Sequence, residues 1–310
     1  MTESNAAMAE TQASTLASAQ ASSKASARAA TQSLTAFQLT TEHRDEALAF
    51  LAVRPLHTVI MAGYIRDHGL MSPLNRGTFY GCRDSQGRLK GVALVGHATL
   101  VEARVDAALA AFARVAQEAS PAPHMIMGEQ EEIGQFWNYY SEQGHGSRLL
   151  GRELLLEQRW PVEVRDAVRG LRRATIEDVK LVIPAHAQMA FEESRVNPLE
   201  ADPVGFRMRC ERRLEQGRTW VVIDGARLIF KADIIAETPE AVYIEGVYVD
   251  RAERGKGYGL RCVSQLSRSL LENTSAVCLL VNEQNRRAQA MYRKAGYKLR
   301  AYYDIIFPQR

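Results

Sequence analysis

The chain contains the stretch Arg254-Gly255-Lys256-Gly257-Tyr258-Gly259 between a strand-like segment and a helix-like segment. Residues 242–249 before it are largely apolar, as in a buried strand, and Leu260, Val263 and Leu266 after it recur at helical spacing. A glycine loop between a strand and a helix presents several backbone N–H groups to one point, beside the positive end of the helix dipole. Since glycine has no Cβ, the backbone there can closely approach a ligand. The stretch therefore predicts an anion site that suits a phosphate.

The glycine spacing discriminates between several kinds of loop. A Walker loop ends in Gly-Lys-Ser/Thr, but Lys256 is followed by Gly257, so the hydroxyl that binds magnesium is missing. A dinucleotide-binding loop needs an acidic residue on a second strand about 20 residues on. Glu272 has this distance but falls near the end of the predicted helix. The third kind, the Arg/Gln-x-x-Gly-x-Gly/Ala loop of the GNAT superfamily of acetyltransferases, matches Arg254, Gly257 and Gly259. A glycine-rich turn without a ligand is the remaining interpretation.

A second GNAT-like signature follows the predicted helix. Ala276–Val281 is apolar and predicts another buried strand. It is followed by Asn285, Ala288, an aliphatic-tyrosine pair that ends at Tyr292, and the pair Gly296-Tyr297. This order of strand, Asn-x-x-Ala, aliphatic-Tyr and Gly-aromatic is similar to the GNAT pattern downstream of the phosphate loop. The two signatures together identify the C-terminal half of the chain as resembling a GNAT N-acetyltransferase domain.

The rest of the chain divides into two further segments. Residues 1–35 are rich in Ala and Ser and contain no aromatic residue, so they are predicted to be disordered. Residues 36–165 predict strand, two helices, three strands, helix, strand, helix and strand, which is the GNAT order again. Arg104–Ala108 stands where the glycine loop would be, so this lobe is predicted to be degenerate and to bind no coenzyme A. Residues 170–310 form the predicted catalytic domain, with a boundary near 165–170.

The predicted fold class is α/β (α+β), with two GNAT-like lobes that each contain a mixed sheet. The chain as a whole resembles two-lobed bacterial GNAT proteins in which a family-specific N-terminal lobe of unknown function precedes the catalytic lobe. The tripeptide Phe230-Lys231-Ala232 also resembles that family.

Composition and charge are those of a soluble globular protein. Hydrophobic residues make up 46% of the chain and charged residues 24%, as in ordinary globular proteins. The net charge is only +3 and the basic residues are scattered, which argues against a nucleic-acid partner. No apolar run approaches the roughly 20 residues that would span a membrane. The cysteines lack metal-binding spacing, which predicts no metal and a cytoplasmic location; they are Cys82, Cys210, Cys262 and Cys278.

The resemblance implies a site for acetyl-CoA as cosubstrate. The N–H groups from Gly255 to Leu260 would hold the pyrophosphate, and the backbone of Val247–Val249 would face the pantetheine arm. The Val249 N–H would then stabilise the oxyanion that develops on the thioester oxygen. Asn285 has two interpretations, which are compatible: it contacts pantetheine, or it caps the following helix. The predicted cofactor-binding residues are Val247, Tyr248, Val249, Arg254, Gly255, Lys256, Gly257, Tyr258, Gly259, Leu260 and Asn285.

Two side chains are predicted to be catalytic. Tyr292 matches the superfamily tyrosine that faces the sulfur of coenzyme A, and a phenol with a pKa of about 10 can protonate a thiolate. The alternative is that Tyr292 only packs. Glu245 is the first candidate for the general base, because a carboxylate on an apolar strand is costly without a task. The alternative is a carboxylate that reaches solvent, and Glu192 and Glu193 are the second candidates. The arginine-rich helix Phe206–Leu214 is predicted to present a solvated face.

The sequence therefore predicts direct transfer of acetyl from coenzyme A to a primary amine. The acceptor is an amine on a small molecule, a peptide or a protein, and the sequence does not choose among these. The alternative function is a non-catalytic module that binds or senses acyl-CoA.

Overall fold

One mixed sheet of twelve strands runs through the part of the chain that the computed structural model describes, residues 34–163 and 166–309. Residues 1–33 of the segment that is predicted to be disordered lie outside the described residues. Leu34 belongs to the same predicted segment but is buried in the core of the N-terminal lobe. Helices cover the sheet, so the predicted α/β (α+β) fold class is confirmed.

The first half of the chain supplies the elements of the N-terminal lobe. In chain order they are β1 Ala36–Gln38, α1 Arg44–Leu51, α2 Pro55–His68, β2 Gly77–Arg83, β3 Leu89–Gly96, β4 Ala98–Ala103, α3 Asp106–Gln117, β5 Met125–Glu129, α4 Gln130–Ser141 and β6 Ser147–Gln158. These elements follow the order that the hydrophobic periodicity predicts.

The second half repeats the arrangement as the C-terminal lobe. Its elements are β7 Arg172–Arg173, α5 Val179–Ser194, α6 Pro198–Ala201, α7 Pro203–Glu215, β8 Thr219–Asp224, β9 Arg227–Glu237, β10 Val242–Val249, α8 Tyr258–Leu270, β11 Val277–Asn282, α9 Arg286–Lys294 and β12 Lys298–Pro308. Strand β10 has the predicted bounds, and α8 begins directly after the glycine loop.

The last strands of the two lobes are exchanged. The order across the sheet is β1-β2-β3-β4-β5-β12-β6-β11-β10-β9-β8-β7. Strand β6, at the end of the N-terminal lobe, pairs with β11 of the C-terminal lobe, for example Leu156 with Leu279. Strand β12, at the end of the chain, pairs with β5 of the N-terminal lobe, for example Ile305 with Met127. The sheet therefore joins the two lobes, and the domain limits 36–165 and 170–310 stay predictions.

The core is apolar on both sides of the sheet. In β11, Val277, Cys278 and Leu279 are all buried, as expected for a strand that helices cover on both faces. Helix α8 turns Cys262, Val263 and Leu266 toward this sheet. Among the residues described, no helix has the length and apolar character needed to cross a membrane.

Candidate active site

Strands β10 and β11 separate after a short stretch of pairing. They pair in parallel at two positions only, Val242 with Val277 and Tyr243 with Cys278. On its other side, strand β10 remains paired with β9 as far as Val249. A wedge opens between the two strands, and Val247 lies along it. The separation of neighbouring strands that the resemblance implies is therefore present.

A β-bulge at Gly246 accompanies the separation. The pairing of β10 with β9 shifts register between Glu245 and Tyr248, and Gly246 has a φ of +61°. A Cβ at Gly246 would lie 2.8 Å from Lys231 Nζ, and the Lys231 ammonium donates a hydrogen bond to Gly246 O at 3.2 Å. Both the backbone angle and the space therefore demand glycine here. A bulge bends its strand and increases the local twist, which favours the departure of β10 from β11.

The backbone N–H of Val249 lies on the side of β10 that faces the wedge. The neighbouring Asp250 N–H donates to Ile229 O at 2.9 Å, just past the end of the pairing between β10 and β9. Successive amides of an extended strand point to opposite sides, so the Val249 N–H faces away from β9. Of the three predicted backbone residues, Val247 lines the cavity in the wedge, Tyr248 packs toward α5 and Val249 contacts the glycine loop.

The predicted phosphate loop forms an open helix N-terminus. Gly255 and Gly257 have φ values of +84° and +85°, and α8 begins at Tyr258 with Gly257 as its N-cap. Within the described residues, the N–H groups of Gly257, Tyr258 and Gly259 have no hydrogen-bond acceptor. Open amides at the positive end of a helix are the features that hold phosphates.

The basic side chains of the loop make local contacts. Arg254 Nε donates to Val249 O at 3.0 Å and thereby ties the loop to the end of β10. Lys256 Nζ lies 3.0 Å from Glu253 Oε2, and this hydrogen bond lowers the pKa of Glu253. Both basic side chains are exposed, so each can reach an anion at the helix N-terminus by a change of rotamer.

Asn285 is the N-cap of α9. Its Oδ1 accepts the Ala288 N–H at 3.1 Å, as one of its two interpretations predicts. Asn285 and Ala288 also line the cavity in the wedge. The contact with pantetheine stays a prediction.

Tyr292 reaches the wedge from the buried side of α9. The residue is 6% exposed and lines the cavity, and its hydroxyl has no hydrogen-bond partner in the described part of the chain. The neighbouring Tyr297 hydroxyl, by contrast, hydrogen-bonds Ser267 Oγ at 2.7 Å. Burial raises the pKa of Tyr292 above its usual value, so its phenol keeps its proton at neutral pH.

Three carboxylates meet in the same cavity from three different elements. Glu245 lies on β10, Glu193 on α5 and Glu153 on the exchanged strand β6. Burial, followed by repulsion from Glu245 and Glu153, raises the pKa of Glu193 to about 8. Burial also raises the pKa of Glu153 to about 7, although Asn282 Nδ2 donates to it at 3.0 Å.

The pKa of Glu245 is raised by burial too, and the nearby Arg213 and Lys231 oppose that rise. Glu193 and Glu245 are nevertheless exposed residues that line the cavity, so solvent reaches their carboxylates. Glu192, the other sequence candidate, hydrogen-bonds Gln188 at 2.9 Å on the exposed side of α5.

A buried charged cluster supports the strand that carries Glu245. Lys231 is 0% exposed and pairs with Asp233, its neighbour but one on β9. Asp233 also contacts Arg213 at 3.0 Å and His186 Nδ1 at 3.2 Å, and it accepts the Thr219 hydroxyl at 2.7 Å. Burial and the Lys231 charge lower the pKa of His186 to about 4, so its ring is neutral at neutral pH.

The sequence interpretation of the arginine-rich helix is wrong at Arg213. Its guanidinium lies against Asp233 inside the protein and not in solvent. The sequence contains a pattern that indicates this burial. Arg213 follows the buried Cys210 by three residues and directly precedes the buried Leu214, so it lies next to the buried side of α7. Arg207 pairs with Glu211 and Arg209 with Asp202 at the surface, so the solvated interpretation holds for that side.

Replacement of Lys231 by methionine tests this cluster. We expect Lys231→Met to lower the free energy of unfolding by about 2 kcal/mol, because Gly246 O loses its donor and Asp233 loses one cation. The cost stays below the roughly 3–5 kcal/mol of a fully broken buried pair, since Arg213 remains. Urea unfolding measures the change. Lys180→Met, on the exposed side of α5, is the matched control and should shift stability by less than about 0.5 kcal/mol. Equal stability of both variants would contradict a supporting role for Lys231.

The corresponding gap in the N-terminal lobe is filled. Strands β4 and β5 pair in parallel at three positions and then diverge. Arg54 bridges Glu102 and Glu129 across the divergence, and Glu132 accepts the Ala103 N–H at 2.7 Å. The cavity that remains there has a volume of about 30 Å³, against about 720 Å³ in the wedge between β10 and β11. These side chains support the prediction that the N-terminal lobe binds no coenzyme A.

The N-terminal lobe instead contributes walls to the cavity of the C-terminal lobe. His97 and His124 stack with their ring centroids 4.7 Å apart, and both line the cavity together with Met127. Ile305 and Phe307 on β12 complete this wall. The sequence interpretation placed no site residue in residues 36–165, because nothing in a single sequence indicates that β6 and β12 exchange places.

Comparisons with known proteins agree with this architecture. Residues 231–305 match the family described as FR47-like protein. A Drosophila protein of known structure aligns with a TM-score of 0.65 and 12% identity over 88% of this chain and 98% of its own. A GCN5-related N-acetyltransferase from Sphaerobacter thermophilus aligns with a TM-score of 0.56 and 12% identity over 90% and 96%. A tandem GNAT protein from the clavulanic acid biosynthesis pathway aligns with a TM-score of 0.54 and 13% identity over 89% and 99%. A comparison with curated proteins found no match.

The fold is therefore that of the GNAT acetyltransferases, in two lobes. The chain has this fold over nearly its whole length, and the match to the FR47-like family covers residues 231–305 within β9 to β12.

Proposed function

We propose that this protein transfers an acetyl group from acetyl-CoA to an amine. One observation carries the proposal: the wedge between β10 and β11 has an open helix N-terminus at one end and Tyr292 with three carboxylates at the other. The open amides suit the pyrophosphate, and the splayed strand suits an extended chain such as pantetheine. The site therefore fits a cosubstrate that is anionic at one end and reactive at the other.

The residues at the reactive end supply what acetyl transfer needs. The amine nitrogen forms a bond to the acetyl carbon, and the carbon–sulfur bond breaks. Glu245 takes the proton that the nitrogen loses, and Tyr292 gives a proton to the leaving thiolate. The Val249 N–H stabilises the negative charge that develops on the carbonyl oxygen. Glu193 lies in the same cavity and is the second candidate for the base.

Release of free coenzyme A tests this function against the alternative of a binding or sensing module. The protein is incubated with acetyl-CoA and a panel of amines, and a thiol reagent measures coenzyme A. We expect release that depends on an amine and gives the N-acetyl product. Tight binding of acetyl-CoA without amine-dependent release would favour the non-catalytic module.

The stoichiometry of binding tests the roles of the two lobes. Calorimetry on the full-length chain should give one coenzyme A per chain, because the gap between β4 and β5 is filled by side chains and leaves about 30 Å³, against about 720 Å³ in the wedge before α8. A second molecule bound with similar affinity would contradict the degenerate character of the N-terminal lobe.

The pH dependence of the rate tests the carboxylate base. Below its raised pKa the base is protonated and idle, so activity should rise with pH through that value. We expect the acid limb of kcat/KM to lie above the ordinary carboxylate value of about 4.3, since burial raises the pKa of Glu245. A weakly basic amine is used, so that its own titration does not mask the limb.

Glu193→Gln is the matched variant for this profile. Glu193 is not among the charges that shift the pKa of Glu245, so the acid limb should keep its position if Glu245 is the base and should be lost if Glu193 is the base. A flat profile between pH 5 and 8 in the unaltered protein would contradict a carboxylate base with a raised pKa.

A further inference from the structure

Among its ionisable side chains, the cavity at the end of the wedge has carboxylates and three histidines, but no ammonium or guanidinium group in its described lining. Among the described residues that line its volume of about 720 Å³ are four glutamates and neither a lysine nor an arginine. The glutamates are Glu153, Glu192, Glu193 and Glu245.

The three inner carboxylates, of Glu153, Glu193 and Glu245, lack a cationic partner in contact. Within the described residues none of them forms a salt bridge, and Glu153 accepts one neutral hydrogen bond, from Asn282. Carboxylates in a confined space repel one another and lose hydration, which is costly unless a cation compensates. The cavity is therefore built for a positively charged occupant.

A buried hydroxyl gives independent evidence for a ligand in the same place. Tyr243 is 4% exposed and lines the cavity, yet its hydroxyl has no hydrogen-bond partner in the described part of the chain. The side chain is otherwise enclosed by protein, so its hydroxyl is available to hydrogen-bond an occupant of the cavity. Tyr243 lies at the closed end of the wedge, where β10 and β11 still pair, and not beside the phosphate loop.

The walls of the cavity limit the size of the occupant. The N-terminal lobe and β12 contribute His97, His124, Met127, Ile305 and Phe307 to the lining, beside the residues of α5. Part of the volume lies along Val247 and Tyr292, where the proposed function places pantetheine. The remaining space suits a short aliphatic chain.

We propose that the acceptor is a small aliphatic molecule with at least two ammonium groups, and that Glu153, Glu193 and the Tyr243 hydroxyl hold the one that is not acetylated. This inference rests on the proposed function, which assigns the reacting amine to the position of Glu245. One ammonium then neutralises the inner carboxylates while the other loses a proton and reacts. A monoamine would leave Glu193 and Glu153 facing each other without a cation.

Proton release on binding is a signature of this arrangement that needs no turnover. Glu193 and Glu153 carry part of their protons at pH 7, because burial and repulsion from Glu245 raise both pKa values. An ammonium group beside them favours the charged carboxylates and expels those protons. Calorimetry in buffers of different ionisation enthalpy counts the protons released.

The test compares 1,4-diaminobutane with 4-amino-1-butanol, which has the same length but replaces one ammonium with a hydroxyl. Both are titrated into the full-length protein with coenzyme A bound. We expect the diamine to bind about 10- to 100-fold more tightly and to release protons, as suits a buried charge-assisted contact. Equal affinities, or tighter binding of a lysine-containing peptide than of the diamine, would overturn the inference.

Two variants locate the second ammonium. Glu193→Gln keeps the shape of the side chain but removes its charge, so the preference for the diamine should fall about tenfold. Glu177→Gln, at an exposed position before α5, should keep the full preference. Glu153→Gln gives a second measurement if Glu193→Gln unfolds, which circular dichroism detects. A preference that survives both inner substitutions would overturn the assignment.

Kinetics separates this inference from the function on which it rests. If the diamine binds selectively but no coenzyme A is released with any amine, the acetyltransferase proposal fails and the cation site stands. If 4-amino-1-butanol and the diamine release coenzyme A with equal kcat/KM, the inference fails and the acetyltransferase proposal stands.

Discussion

Replacement of Gly257 by aspartate should abolish the binding of coenzyme A. Gly257 has a φ of +85° at the N-cap of α8, next to amides that have no acceptor within the described residues. An aspartate there places a negative charge where the pyrophosphate would bind, and like charges in contact cost several kcal/mol. We expect affinity to fall by at least about 100-fold in calorimetry, since each 1.4 kcal/mol corresponds to a factor of ten.

Gly257→Asn is the control for this prediction. Asparagine has nearly the same shape as aspartate and tolerates positive φ better than most residues, so it introduces the strain and bulk without the charge. It should weaken binding much less than aspartate does. If Gly257→Asp bound coenzyme A as tightly as the unaltered protein, the assignment of the loop would be wrong.

The features that the sequence predicted well are local ones. The glycine loop, the start of α8 directly after it and the bounds of β10 follow from glycine chemistry and short-range periodicity. Strand pairing is different, because β6 and β12 are both apolar strands and either could fill the position beside β11. The sequence of one strand does not state its partner, so the exchange was missed, and with it the place of Glu153 in the site.

The bulge at Gly246 is a second feature that the sequence alone did not predict. A glycine inside a strand is a known sign of a bulge, yet the apolar pattern of residues 242–249 predicts a regular strand, in which alternate side chains share a face. The shifted register interrupts that alternation, although Glu245 and Val247 still line the same cavity. What demands the bulge is the contact between Gly246 and Lys231, fifteen residues away, and no local pattern contains it.

The identity of the general acid is tested by Tyr292→Phe, which keeps the ring and removes the hydroxyl. The Tyr292 hydroxyl has no hydrogen-bond partner within the described residues, so its loss breaks no internal hydrogen bond and should leave stability and coenzyme A affinity nearly unchanged. If it protonates the leaving thiolate, the acetylation rate should fall about 100-fold, within the usual range for general-acid catalysis. Single-turnover kinetics measures this step without the contribution of product release.

Tyr297→Phe is the matched control, because the two rings are neighbours with centroids 5.7 Å apart. The Tyr297 hydroxyl bonds Ser267 and is not among the groups that line the cavity, so its removal should cost about 1 kcal/mol of stability and leave the rate unchanged. We therefore expect opposite effects. Tyr292→Phe should lower the acetylation rate and keep the stability, and Tyr297→Phe should lower the stability and keep the rate. A Tyr292→Phe variant with an unaltered single-turnover rate would make Tyr292 a packing residue. The thiolate would then take its proton from water, and the case for a dedicated acetyltransferase would rest on the carboxylates alone.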